Sequence, residues 1–133
     1  MPDLTISTVN LTSSRSRSTT AQAGVAIAVG DLVYLNSSTG KYELADASAA
    51  STADIAGFAV TAADTDEYFF YVATETLDLG AILTAGEFYY LSATAGKICP
   101  HDDLVATNIV SQLGYAESTS SLKFNIVNTG IAI

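Results

Sequence analysis

The feature that most constrains this 133-residue chain is an internal repeat. The segment Ala28-Val29-Gly30-Asp31-Leu32-Val33-Tyr34-Leu35-Asn36-Ser37-Ser38-Thr39-Gly40-Lys41 returns as Thr84-Ala85-Gly86-Glu87-Phe88-Tyr89-Tyr90-Leu91-Ser92-Ala93-Thr94-Ala95-Gly96-Lys97. At an offset of 56, Gly30 falls on Gly86, Asp31 on Glu87, Tyr34 on Tyr90, Leu35 on Leu91, Gly40 on Gly96 and Lys41 on Lys97. The echo continues at an offset of 57, where Gly57-Phe58-Ala59 meets Gly114-Tyr115-Ala116. Tyr68-Phe69-Phe70-Tyr71-Val72 then stands where Leu122-Lys123-Phe124-Asn125-Ile126 stands. A repeat defines the structural unit, and two copies of about 55 residues are too few to stack into a solenoid.

Within each copy the apolar period is two. Leu32-Val33-Tyr34-Leu35, a turn cluster ending in Gly40, and Lys41-Tyr42-Glu43-Leu44 read as a β-hairpin. Gly40 sits where the turn calls for a positive φ. Val25, Ile27 and Val29 alternate as a strand face, and Ala45–Ala53 reads as loop or one short helical turn. Gly57 in its strand signals a bulge or a close backbone approach. Tyr68–Val72 is bulky on both faces, so both need cover. Thr76–Gly80 reads as the link to the second copy, which replays the same order. No segment carries a helical period. The expectation is all-β: a small barrel or sandwich of two tandem β repeats related by an approximate internal twofold, with an extended N-terminal arm. The boundaries are 1–23 for the arm and 24–133 for the β domain, with repeat one at 24–79 and repeat two at 80–133.

The arm alternates weakly at Leu4, Ile6, Val9 and Leu11 and then becomes a Ser/Thr tract holding Arg15 and Arg17. Extended, it reaches on the order of 70 Å. These six residues are the candidate contacts to a partner, by strand addition or by charge. The arm's two arginines face one aspartate, a net +1, whereas residues 24–133 set three lysines against thirteen carboxylates, a net −10. That acidity disfavours direct binding to nucleic acid or to an anionic membrane. Charged residues are only 14% of the chain, below the usual quarter or so, which suits a surface covered by neighbouring subunits. No run of 18 apolar residues could span a bilayer, and the start of the chain lacks the features of a secretory signal. A single cysteine allows no intrachain disulfide, so synthesis in a reducing cytoplasm is expected.

The search for chemistry is short. No nucleophile elbow, dinucleotide or phosphate loop occurs. Cys99, His101 and Asp103 could ligate a soft divalent metal, but a structural zinc site needs four ligands and the chain has one Cys and one His. Asp64, Asp66 and Glu67 form an acidic turn without the glycine and distal glutamate of a calcium loop. Tyr68, Tyr71, Tyr89 and Tyr90 could form a sugar-stacking platform, or be ordinary core and interface residues. The expectation is a non-enzymatic chain without cofactor or metal.

The run Gly30-Asp31-Leu32-Val33-Tyr34-Leu35 to Gly40-Lys41, then Ile55-Ala56-Gly57-Phe58-Ala59, then Gly86-Glu87-Phe88-Tyr89-Tyr90-Leu91 to Gly96-Lys97-Ile98, and finally Leu113-Gly114-Tyr115-Ala116, resembles tailed-phage capsid decoration (cement) proteins. The resemblance covers about residues 24–127. It implies a structural virion protein, commonly a homotrimer, bound between capsomers on the outer capsid surface with the major capsid protein as partner. There it would brace the shell against packaged DNA. The alternative is a receptor- or glycan-binding module of a phage head fibre or tail, in which exposed tyrosines would matter more than the arm.

Overall fold

A computed structural model describes residues 6, 10–11, 19–79, 82–100, 104, 106 and 108–132. Among these there is no helix, and eleven strands form two antiparallel sheets. The first sheet has the order β2 (Thr19–Gln22), β6 (Tyr68–Val72), β5 (Gly57–Ala59), β3 (Leu32–Asn36), β4 (Lys41–Leu44). The second runs β1 (Asn10–Leu11), β7 (Thr74–Asp78), β11 (Ser121–Ala132), β10 (Ile109–Ala116), β8 (Phe88–Leu91), β9 (Ile98–Pro100). The chain is therefore all-β, a small sandwich in which the first sheet curls toward a barrel.

Setting β1 aside, the two sheets have the same strand order, β2 answering to β7, β6 to β11, β5 to β10, β3 to β8 and β4 to β9. Registers agree as well. Val33 opposes Leu44 and Gly57, and Tyr89 opposes Pro100 and Gly114. Leu32 opposes Phe58, and Phe88 opposes Tyr115. The repeat seen in the sequence is thus one sheet, made twice. Its limits differ from the expected 24–79 and 80–133. Thr19–Gln22 opens the first unit, and Thr74–Asp78 opens the second instead of linking to it. Among the described side chains, β2 and its continuation bury Ala21 and Ala23, where β7 and its continuation bury Leu77 and Leu79. In the final strand of each unit, Phe69 opposite Ala21 and Leu122 opposite Leu77 are buried, and Tyr68 is exposed.

The two units do not face each other symmetrically. In the first unit, the side chains of Ala21, Val33, Ala59 and Phe69 turn into the curl of their own sheet. The curl closes where Ala23 bridges Tyr42 and the Gly24 amide donates to the Tyr42 carbonyl at 2.7 Å. Its end is sealed by Ile27, bridged to Ala63; Val25 and Val29 do not continue that pairing as a strand. The opposite face of the first sheet, with Leu32, Phe58 and Val72, lies in the larger core between the sheets. In the second unit the faces are used the other way. Leu77, Tyr89, Ala116 and Leu122, the counterparts of the curl residues, pack into the inter-sheet core with Phe124. The counterparts of Leu32 and Phe58 are Phe88 and Tyr115, and these are exposed. One unit stacks on the back of the other, so the expected internal twofold is replaced by a head-to-tail arrangement. Alternation along each strand shows that there are two faces, but it does not say which face meets the other copy.

Residues 45–56 form a loop of turns, one of them closed as a single helical turn by the Ala53 amide donating to the Ala49 carbonyl at 3.0 Å, laid along the second sheet. The Ala47 amide donates to the Ser92 carbonyl, the Ile109 amide to the Ala47 carbonyl at 2.7 Å, and the Ser111 hydroxyl to the Ala53 carbonyl at 2.7 Å. The Asn128 side chain accepts from the Ile55 amide and donates to the Ile55 carbonyl, standing in for a strand partner. Backbone groups of the loop are thereby satisfied by the neighbouring unit.

Candidate interaction surfaces

Of the six candidate partner residues, Leu4, Val9, Arg15 and Arg17 lie outside the described residues. Ile6 and Leu11 are placed by the chain's own body. Ile6 is half-buried against the main core and over Gly30, and Leu11 pairs with Leu77 at the edge of the second sheet. The expected arm of 1–23 therefore gives up Thr19–Ala23 to the first sheet and adds Asn10–Leu11 to the second.

The Cys99 thiol is buried, with Cys99 opposite Tyr90 in the β8–β9 pair, while His101 and Asp103 lie outside the described residues. Among the described residues no group of three His, Cys, Asp or Glu side chains converges as a metal site. In the acidic turn one carboxylate closes the turn and another ties it to the first hairpin. Glu67 accepts from the Asp64 amide at 2.9 Å, and Asp66, at φ 72°, pairs with the Lys41 ammonium at 2.6 Å. The four tyrosines of the sugar-platform expectation do not converge. Tyr89 is in the inter-sheet core and its hydroxyl accepts from the Thr84 amide, whereas Tyr71 lines the curl of the first sheet. The Tyr71 hydroxyl lies 3.3 Å from that of Tyr42; burial first, then this hydrogen bond, pushes it up to about 12. Tyr68 and Tyr90 stand on different sheets.

Part of what the fold leaves uncovered is apolar. Phe88 is 48% exposed and Tyr115 37%, and their rings pack at 5.8 Å on the outer face of the second sheet. With Gln112, Lys123, Asn125 and Val127 they line a groove of about 260 Å³. A second aromatic pair, Tyr68 and Phe70, projects from β6, with Tyr68 at 67% exposure. The expectation that both faces of β6 are covered therefore holds for Phe69 and Val72 and fails for these two, because the second sheet reaches only the Val72 end. Soluble monomers seldom leave contiguous apolar patches of this kind without a use for them.

Polar side chains near these surfaces act structurally. Asp31, buried in the first unit, accepts from the Ala28 amide at 2.9 Å and lies 3.7 Å from the Lys97 ammonium of the second. Burial pushes the Asp46 carboxyl up, but bonds from the Ser48 hydroxyl, the Ser48 amide and the Thr52 hydroxyl outweigh it and hold the group below its ordinary value. Burial, then the nearby Glu43 carboxylate, raises the Tyr34 hydroxyl. Asp31 lines a concavity of about 350 Å³ with Asp64 and Glu67, and Tyr34 lines one with Asp54. The outer face of the second sheet was missed as a site in the sequence, although its signal, Phe88 and Tyr115 in β8 and β10, was present. No protein-family model matches the chain, and no curated protein is similar enough to it to count as a relative.

Proposed function

We propose that the chain is a structural virion protein that decorates a tailed-phage capsid, binding between capsomers on the outer surface as a homotrimer and stabilising the shell. The observation that carries this reading is the bare apolar face of Phe88, Tyr115 and Val127 on a chain with few charges, which suits a protein finished by contact with neighbours. The resemblance of its repeated Gly-Asp/Glu hairpins to capsid decoration proteins points the same way. In this reading Leu4, Val9, Arg15 and Arg17 of the arm reach the major capsid protein, while Ile6 and Leu11 hold the arm to the body. Weak contacts repeated over a lattice would add by avidity.

A truncation that tests the arm has to stop before β2. Removing residues 2–18 leaves Thr19–Gln22 in the first sheet and is expected to leave the body folded, as read by circular dichroism, while abolishing binding to shells. Antibody raised against the purified body should label the outside of heads of the virus that encodes it. Label confined to tails or fibres favours the receptor-binding alternative, and unlabelled particles refute both.

A further inference from the structure

The head-to-tail stacking of the two units says what kind of object covers the bare face. Leu32 and Phe58 of the first unit occupy the positions that Phe88 and Tyr115 occupy in the second. The first pair is fully buried, beneath a β-sheet of this same chain; the second pair has nothing over it among the described residues. Charge on that face is also incomplete. Lys41 and Lys97 pair with Asp66 and Asp31, but Lys123, beside Tyr115 in the β10–β11 register, makes no ion pair among the described residues. Just past the end of β10, in the turn that leads into β11, the exposed Glu117 carboxylate makes none either. A face that carries an apolar centre, one unmatched cation and one unmatched carboxylate can meet its own copy: around a rotation axis the lysine of each copy reaches the carboxylate of the next.

We propose that copies of this chain associate through the outer face of the second sheet, Phe88 and Tyr115 packing against a neighbouring copy and Lys123 reaching that copy's Glu117. This deepens the reading above, from which it takes only that copies of the chain associate; in a trimer the three faces turn toward the common axis. The groove beside Lys123 and Val127 is then filled by a neighbour's aromatic ring.

Sedimentation of the purified full chain in the absence of any shell tests this. The wild type is expected to be an oligomer, and the variant with Phe88→Ser and Tyr115→Ser a folded monomer. Because loss of two aromatics could unsettle the sheet, Lys123→Glu provides a test at an exposed site. It is expected to weaken association by about tenfold, and adding Glu117→Lys to it should restore most of that loss. A monomeric wild type, an oligomer indifferent to the serine variant, or a Lys123→Glu defect that Glu117→Lys does not reverse overturns the proposal. A chain that associates in this way yet never labels phage heads sinks the decoration reading and leaves this contact standing.

Discussion

Gly57 and Gly114 hold equivalent places in the two units, and each lies against the last strand of its own sheet. A Cβ on Gly114 would stand 2.0 Å from the Lys123 carbonyl oxygen, and one on Gly57 would stand 2.7 Å from that of Val72. Backbone cannot move aside as a side-chain tip can, so Gly114→Ala is expected to destabilise by at least about 3 kcal/mol in a denaturant melt. Gly40 provides the contrast. Its φ is 72°, but a Cβ there meets nothing within 4 Å, so Gly40→Ala should lose only about 1–2 kcal/mol, the ordinary strain of a left-handed residue. Equal losses at the two sites would mean that close approach is not what glycine supplies at Gly114. Both positions could be read from the sequence as special, Gly40 from its turn cluster and Gly57 from its place in a strand. What distinguishes them is the distance to another strand's backbone, which no local pattern encodes.

At the scale of elements, the loop 45–56 matters more than its Ala/Ser composition suggested. Its first turn is organised by Asp46, which accepts from Ser48 and Thr52, and its far end is clamped by Asn128. Because Asp46 is held below its ordinary value, it contributes stability above the unfolded carboxyl pKa of about 3.9 and loses it as pH falls through the lower folded value. Asp46→Asn should therefore be less stable than wild type by about 1 kcal/mol at neutral pH. Melts in acid should bring the two proteins together, and a gap that persists there would contradict the assignment. The hairpins, by contrast, were legible, since Leu32-Val33-Tyr34-Leu35 and Lys41-Tyr42-Glu43-Leu44 alternate around a turn. β2 and β7 were not, because Thr19-Thr20-Ala21-Gln22 and Thr74-Glu75-Thr76-Leu77-Asp78 look like linker until a longer strand pairs with them.

For the molecule as a whole, the inter-sheet core is shared property. Phe58 of the first unit and Phe124 of the second meet edge to face at 5.4 Å, both essentially buried. Phe124→Ala should destabilise by about 3–5 kcal/mol. The loss should appear equally in amide hydrogen exchange at Val33 in the first sheet and Leu113 in the second. Loss of protection confined to Leu113 would show that the sheets unfold separately. The class of fold was legible in the repeat and the period of two. Which surface stays bare was not, since Phe88 and Phe58 are equally apolar in the sequence and differ only in whether another unit lies above them. Such a stack has polarity, with a first member that is self-sealed and a last one that is not. Lengthening the gene by a third tandem unit would only carry the unsealed end outward, so further duplication cannot close the stack, whereas the proposed contact between molecules would.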